Sequence, residues 1–402
     1  MEVLFFSRGR GMGHAIPDMA IVEAAHGIEP HIHWQFISYG TGAATLSEFG
    51  HKVQDLELPD DNPFLETLIR ACGVIRAFNP RVVVSHEEAA AILGAKILGI
   101  PSIFVTEFLL NANHLLMQAL AYAEAVILLA DPGWFDEPPY LKEKIRYVGS
   151  MVREFKYRGQ DRERARQELG MDHDLTVVSV LPGGWATEQR EPIADLLLPA
   201  FTRLDRAKKL LCWVAGNDFE TLSTCAKRTA DVLAVAKLWP IEQLMVASDL
   251  IITKANRITI MEASKLGIPT ISLSHGFNRI DDIIVSHVTT NMPLRVKGIT
   301  SEYLAKCMEV VLERSKGQDH MERRTTGPAT VAEVLICEIR RVEQTGDVCS
   351  RSVPEGCFDH QVDDAGALNH EGDNEPFPSP SLGRATAKGS VGARHQTNTR
   401  PR

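Results

Sequence analysis

The apolar positions of this chain fall mainly into short, β-branched runs separated by longer amphipathic stretches. Val3–Phe6, His31–Ser38, Lys52–Leu58, Arg81–Ser85 and Ser102–Thr106 read as strands with helical stretches between them. A second series follows at Leu175–Leu181, Lys209–Val214, Val232–Lys237, Leu250–Thr253 and Thr270–Ser274. Strands alternating with helices predict parallel sheets in an α/β fold. Gly99-Ile100-Pro101 and Gly267-Ile268-Pro269 each sit where a helix stops before a strand. Glycine suits the helix end, and proline prevents continuation. Between the two series lies a polar helix, Asp161–Leu169, and the second series is followed by helices over Ser301–Ser315 and Thr330–Glu343. The pattern therefore predicts two Rossmann-like, doubly wound halves.

Length and composition agree with that picture. The chain has 402 residues, enough for two ordinary domains, and its 44% hydrophobic and 24% charged content suits a soluble globular protein. Its net charge of −9 argues against a nucleic-acid partner. Phe108–Ala130 is the longest apolar stretch, but Asn111, Asn113, His114, Gln118 and Glu124 interrupt it, so a helix followed by a buried strand is expected. Met1-Glu2 leads straight into a strand, so no signal peptide is expected. The seven cysteines show no tight spacing, and five lie in apolar surroundings, which predicts buried, reduced thiols in a cytoplasmic protein. From about Gln344 the composition turns to Gly, Pro, Ser, Asp and Asn without periodicity, and a disordered tail is expected there. Cys349, Cys357, His360 and His370 in that tail fit no standard zinc spacing.

Ligands of parallel sheets sit beyond the carboxyl ends of the strands, near helix N-termini. The loop after the first strand carries Gly9, Gly11 and Gly13 between Arg8, Arg10 and His14. Such a loop lets backbone approach a ligand closely and leaves amides free at a positive helix end. An imidazole at its mouth suits a general base or the partner that orients one, although His14 would also serve simply to satisfy the helix start. Arg8 and Arg10 would suit a phosphate-bearing acceptor, or be surface arginines. In the second half, Gly183-Gly184 follows a buried strand, with Thr187 beyond it. They read either as a plain turn or as the approach of a helix to a diphosphate. Lys254, Asn256 and Arg257 fall at the next strand–helix junction, with Glu262 one to two turns into the helix. A lone acid there needs a partner, either a ribose diol or a base such as Lys265. Arg257 would clamp a diphosphate or stand exposed at the helix start. Asp172-His173-Asp174 precedes its strand rather than following it, so it reads as a solvated turn and no metal site is expected.

The stretch Thr253-Lys254, Ala255, Thr259, Glu262 and Gly267-Ile268-Pro269 resembles the donor-site signature of nucleotide-sugar glycosyltransferases with the GT-B fold, the family-28, MurG-like group above all. Gly9–Pro17, with His14-x-x-Pro17, is similar to the N-terminal loop of the same enzymes, and the two matches occur in the family's order. Gly149-Ser150-Met151-Val152-Arg153 resembles the Gly-x-Pro-Val-Arg segment closing their first domain, with methionine replacing proline. The chain departs from the pattern at Asn256-Arg257, where the family has glycine and a small residue.

The resemblance implies a GT-B architecture: an acceptor-binding domain over 1–153, a UDP-sugar-binding domain over 154–344 whose last helix returns to the first, and the tail 345–402. It implies inverting, metal-independent transfer from a UDP-sugar to an acceptor hydroxyl, with no cofactor besides the donor. Glu107 falls on the acceptor-side segment, and His14 and Glu107 are the candidate catalytic residues. Arg10, Gly11 and Gly13 are the acceptor-loop candidates. Thr259 joins the donor set, and Trp239 would stack on uracil or belong to the core. Asp281-Asp282 stands where the family has a glutamine pair on sugar hydroxyls, or is an acidic helix start. The acceptor is unassigned, a lipid or small molecule both fitting. Peripheral contact at the inner membrane face is implied by the group, without a basic amphipathic patch in the sequence to add to it. Two other readings stand beside transfer. One is a UDP-sugar epimerase or hydrolase on the same fold, although the several cleft acids and histidines of such epimerases are not evident. The other is a non-catalytic nucleotide-sugar-binding protein.

Overall fold

A computed structural model describes residues 1–10, 13–59, 63–110, 114–182, 192–236, 238, 240–254, 257–275, 287–288, 290–315 and 325–349, all within a single compact unit. The first sheet comprises β1 (Glu2–Ser7), β2 (His33–Ser38), β3 (Val53–Asp55), β4 (Val82–His86), β5 (Ser102–Thr106), β6 (Ala125–Leu128) and β7 (Ile145–Tyr147). Its order is β3-β2-β1-β4-β5-β6-β7, all parallel. The second sheet holds β8 (Thr176–Val180), β9 (Lys209–Val214), β10 (Val232–Val235), β11 (Leu250–Lys254), β12 (Thr270–Ser274) and β13 (Asn291–Arg295). Its order, β10-β9-β8-β11-β12-β13, repeats the same winding.

Both orders reverse direction beside their first strand. The crevices between β1 and β4 and between β8 and β11 are therefore the places where a doubly wound sheet receives a ligand. The buried faces follow from strand alternation. Val3 and Phe5 face one side of the first sheet, and Leu4 and Phe6 face the other. Each face is covered by helices, as a parallel sheet requires.

The helix Pro328–Cys349 follows the second sheet in the chain yet packs on the first. Val331, Leu335, Ile339 and Val342 form a buried stripe at helical spacing, joined to the cluster of Val3, Phe5, Val82 and Val84. The return is anchored at Thr326, whose amide donates to the Ser150 carbonyl at 2.9 Å and whose carbonyl accepts from the Val152 amide at 3.0 Å. Gly149 makes this possible. It has φ +77°, and a Cβ on it would lie 2.8 Å from Thr326 Oγ1. Gly149→Ala is expected to cost about 1–3 kcal/mol of stability, measured by urea unfolding. A variant as stable as the parent would show that the crossing tolerates a side chain there.

Two strands and several boundaries differ from the sequence reading: β3 is Val53–Asp55 within the strand read over Lys52–Leu58, and β10 ends at Val235. The edge strands β7 and β13 escaped it, because β7 is only three residues long and β13 contains Pro293, which an edge position tolerates. The last helix runs to Cys349, so residues 345–349, read as the start of the tail, are helical. Gly346 lies within it, and one glycine costs about 1 kcal/mol without ending a helix. The rest of the proposed tail lies outside the described residues. The thiols of Cys212 and Cys307 are buried as expected, whereas Cys72 and Cys225 are half-buried and Cys337 is exposed. Among the described residues no helix is long and apolar enough to cross a membrane.

Candidate active site between the two halves

The carboxyl ends of β1 and β4 lie side by side, with Ser7 in register with His86. From β1 the chain enters the glycine loop. A Cβ on Gly9 would lie 2.3 Å from Tyr39, so this glycine is bare because a core tyrosine packs on it, not to admit a ligand. Gly13 is different. Its nearest neighbour is Ile258 Cδ1, 3.4 Å from where a Cβ would stand, and Ile258 belongs to the helix Arg257–Lys265 of the second half. At Gly13, then, the candidate acceptor loop meets the candidate donor helix. Gly11 lies outside the described residues, and Arg10 is half-buried.

His14 follows immediately, at the start of the helix Ala15–Ile28. Its Nε2 is 2.9 Å from Glu87 Oε2, and no side-chain bond caps the helix from His14. Glu87 is the residue just past β4 and holds φ +58°, a left-handed conformation that costs a non-glycine residue about 1–3 kcal/mol. Its surroundings hold it there. The Glu87 amide donates to the Val105 carbonyl at 3.1 Å, and Oε1 accepts from Thr106 Oγ1 at 3.3 Å and the Glu107 amide at 3.2 Å. Arg8 approaches Oε2 at 3.4 Å. Burial alone would raise this carboxyl, but His14, His86 and Arg8 hold it well below the usual carboxylate range. Glu87 is thus a fixed anion, and the nitrogen of His14 facing away from it, Nδ1, is buried without a partner among the described residues.

A second pair lies behind the first. His86 Nδ1 is 2.5 Å from Asp18 Oδ1, both side chains fully buried, and the His86 ring meets that of His14 edge-on at 4.9 Å. Burial opposes the charged imidazole, yet Asp18, Glu87 and Glu107 push it up to about 9.

The third group joins the halves. Arg257 is buried, with one guanidinium nitrogen on Glu107 Oε1 and the other donating to the Leu129 carbonyl at 2.7 Å. A candidate catalytic acid and a candidate phosphate ligand are therefore partners across the cleft. Arg257 is not an exposed helix-start residue. Glu262 also has a protein partner: Arg153 Nε donates to its Oε1 at 2.7 Å, while Arg153 NH2 reaches Glu242 Oε2 at 3.0 Å. The base is Arg153, on the segment joining the halves, and not Lys265, which donates to the Arg153 carbonyl instead. Burial pushes the Glu262 carboxyl up and Arg153 opposes it. Lys254 is buried at the end of β11, and Thr259 is half-buried on the following helix. Gly183, Gly184, Thr187, Trp239, Asn256, Asp281 and Asp282 lie outside the described residues.

Sequence reasoning passed over Asp18, His86 and Glu87. The signal was present: Ser85-His86-Glu87-Glu88 follows the apolar Val82-Val83-Val84 directly, placing four polar residues at a strand end beside the first strand. The expectation that the cleft lacks several acids and histidines is corrected by the same residues, since His14, Asp18, His86, Glu87 and Glu107 gather at one point. Asp18, His86 and Glu87 were missed because they come from separate stretches and meet His14 and Glu107 only in the fold.

Two winding sheets with their strand ends facing across a cleft define the GT-B architecture, and solved structures agree. MurG of Acinetobacter baumannii superposes with a TM-score of 0.58 at 13% identity, covering 85% of this chain and 99% of its own. CalG4, the calicheamicin glycosyltransferase, gives 0.56 at 14% identity over 85% and 98%. The UDP-GlcNAc 2-epimerase of Neisseria meningitidis bound to UDP-GlcNAc gives 0.57 at 15% identity over 85% and 100%. At these identities the likeness is one of fold. No protein-family model matches the chain. Two curated relatives are UDP-N-acetylglucosamine–N-acetylmuramyl-(pentapeptide) pyrophosphoryl-undecaprenol N-acetylglucosamine transferases. That of Fusobacterium nucleatum subsp. nucleatum is 21% identical over 288 residues, spanning 69% of this chain and 79% of the relative. That of Ruminiclostridium cellulolyticum is 24% identical over 298 residues, spanning 67% and 78%. The resemblance to MurG-like transferases seen in the motifs thus extends over most of the chain.

Proposed function

We propose that the protein transfers a sugar from a UDP-sugar to an acceptor hydroxyl by direct, inverting displacement, without a metal in the reaction. The observation that carries this reading is the His14–Glu87 pair set against the Gly13–Ile258 contact, a base on one half facing the donor helix of the other. Glu87 accepts the Nε2 proton of His14, which leaves the Nδ1 lone pair to take the acceptor hydroxyl proton. As the imidazole becomes charged, the fixed Glu87 carboxylate stabilises it. Lys254 and Arg257 supply positive charge at the donor helix, and the diphosphate competes with Glu107 for Arg257. A guanidinium suits that exchange, because its planar fork fits either oxyanion. Glu262 accepts from the ribose hydroxyls while Arg153 fixes its position.

Calorimetry of UDP and UMP binding tests the donor side. Arg257→Ala is expected to weaken UDP about tenfold or more and UMP less, with EDTA changing neither. Equal affinities in parent and variant would remove Arg257 from the diphosphate site.

One observation favours a second reading, a UDP-sugar epimerase or hydrolase. The cluster of His14, Asp18, His86, Glu87 and Glu107 offers more acid–base groups than a single proton transfer needs. Product analysis separates the two chemistries.

We also infer peripheral contact with an anionic membrane, for an acceptor of lipid type. The helix Phe64–Phe78 leaves Leu65 and Ile69 64% and 63% exposed, one turn apart, with the exposed Arg70 and Arg76 on the same helix. The sequence reading found no such patch, because it emerges only once the buried face of this helix is known. Leu65→Ser/Ile69→Ser should reduce co-sedimentation with anionic vesicles several-fold. Unchanged sedimentation would place any membrane contact elsewhere.

A further inference from the structure

Ser7 and His86 stand in register at the joined ends of β1 and β4, and Ser7 Oγ and His86 Nε2 are both buried without a hydrogen-bond partner among the described residues. Leaving buried polar groups unpaired is costly, so these two mark a place suited to a polar occupant. His14, His86 and Glu87 each bring a ligating atom to within 4.8 Å of the other two.

The donor set is specific in its chemistry. Two imidazoles and one carboxylate match the ligand set of catalytic zinc sites, which leave a further position open. The nitrogen donors disfavour magnesium and calcium, which take oxygen ligands. The arrangement behind His86 fits as well. Asp18 holds Nδ1 at 2.5 Å, and a carboxylate on one imidazole nitrogen fixes the ring and leaves the other nitrogen as the ligand. Here that other nitrogen is the orphaned Nε2 of a fully buried ring. Glu87 can take part without losing its support, since Oε1 stays on Thr106 and the Glu107 amide while Oε2 turns to the cation.

We propose that His14, His86 and Glu87 form a binding site for a divalent first-row transition metal, zinc foremost, with Asp18 orienting His86 from behind. Binding displaces a proton from the imidazoles and changes no oxidation state. The site overlaps the proton-transfer pair: a metal on His14 and Glu87 occupies the groups the base needs. Bound zinc therefore opposes the transfer proposed above and takes no part in it.

The test uses the metal-stripped full-length chain and no sugar nucleotide, so its outcome is independent of the transferase reading. Cobalt is titrated while visible absorption is followed, and zinc is then added in competition and by calorimetry. One tight site that zinc empties of cobalt is expected, with magnesium without effect. His86→Ala and His14→Ala should each weaken it by more than about 100-fold, and Asp18→Asn by about 10–100-fold. His14 is the less buried of the two histidines, so its variant still decides the matter if His86→Ala fails to fold. Absence of a tight site would overturn the proposal. So would affinity unchanged in folded His14→Ala, which would put the metal elsewhere in the chain.

Discussion

His14→Ala is expected to lower turnover about 100-fold or more, with UDP affinity nearly unchanged. The split follows from position. His14 stands on the first half and makes its only described side-chain hydrogen bond to Glu87, whereas the donor groups lie on the second half. Removing the base leaves the acceptor hydroxyl to lose its proton unaided, which raises the barrier to transfer and not the cost of donor binding. Glu87→Gln should show the same split and lower turnover about 100-fold, because an amide keeps the shape and loses the charge that stabilises imidazolium. A kinetic comparison of kcat with donor KM checks both. A loss below tenfold in His14→Ala would mean that the proton leaves by another route.

The largest effect on stability is expected from Arg153→Ala. Its guanidinium lies between Glu262 and Glu242, with side-chain exposures of 11% for the arginine and 10% and 4% for the acids. Deleting one member of a buried ionic group strands the others, at about 3–5 kcal/mol. Arg153 also lies over the Phe155 ring, 4.7 Å from its centroid, so packing is lost with the charge. Adding Glu242→Gln and Glu262→Gln should recover part of the stability, which separates stranded charge from lost packing. Urea unfolding measures both variants. An Arg153→Ala protein within about 1 kcal/mol of the parent would show that water reaches these carboxylates.

Most of the fold was readable because its strands are short apolar runs bounded by glycine and proline. Ser102–Thr106, Lys209–Val214 and Thr270–Ser274 are bounded in the structure as they are in the sequence reading. Of the four edge strands, β3 and β10 were read, though longer than they are, whereas β7 and β13 were not, because an edge is only partly buried and needs no apolar run. The site was half legible. His14, Glu107, Arg257 and Glu262 stand at loop mouths or as lone charges among apolar residues, and each drew notice by contrast with its surroundings. Their partners did not. Nothing local ties Glu87 to His14, Asp18 to His86, or Arg153 to Glu262, since those pairs exist only after two sheets and a linker have folded. A lone charge in sequence announces that a partner is needed without saying whether the partner is a ligand or an arginine from another segment.

Sugar transfer to a hydroxyl is decided by incubating the full chain with a panel of UDP-sugars, with and without hydroxyl acceptors, and following all products by mass spectrometry and NMR. Transfer releases UDP only when an acceptor is present, with the sugar recovered on the acceptor in inverted anomeric configuration. Release of UDP to water alone, or conversion of the donor to its C2 epimer without any acceptor, would contradict it.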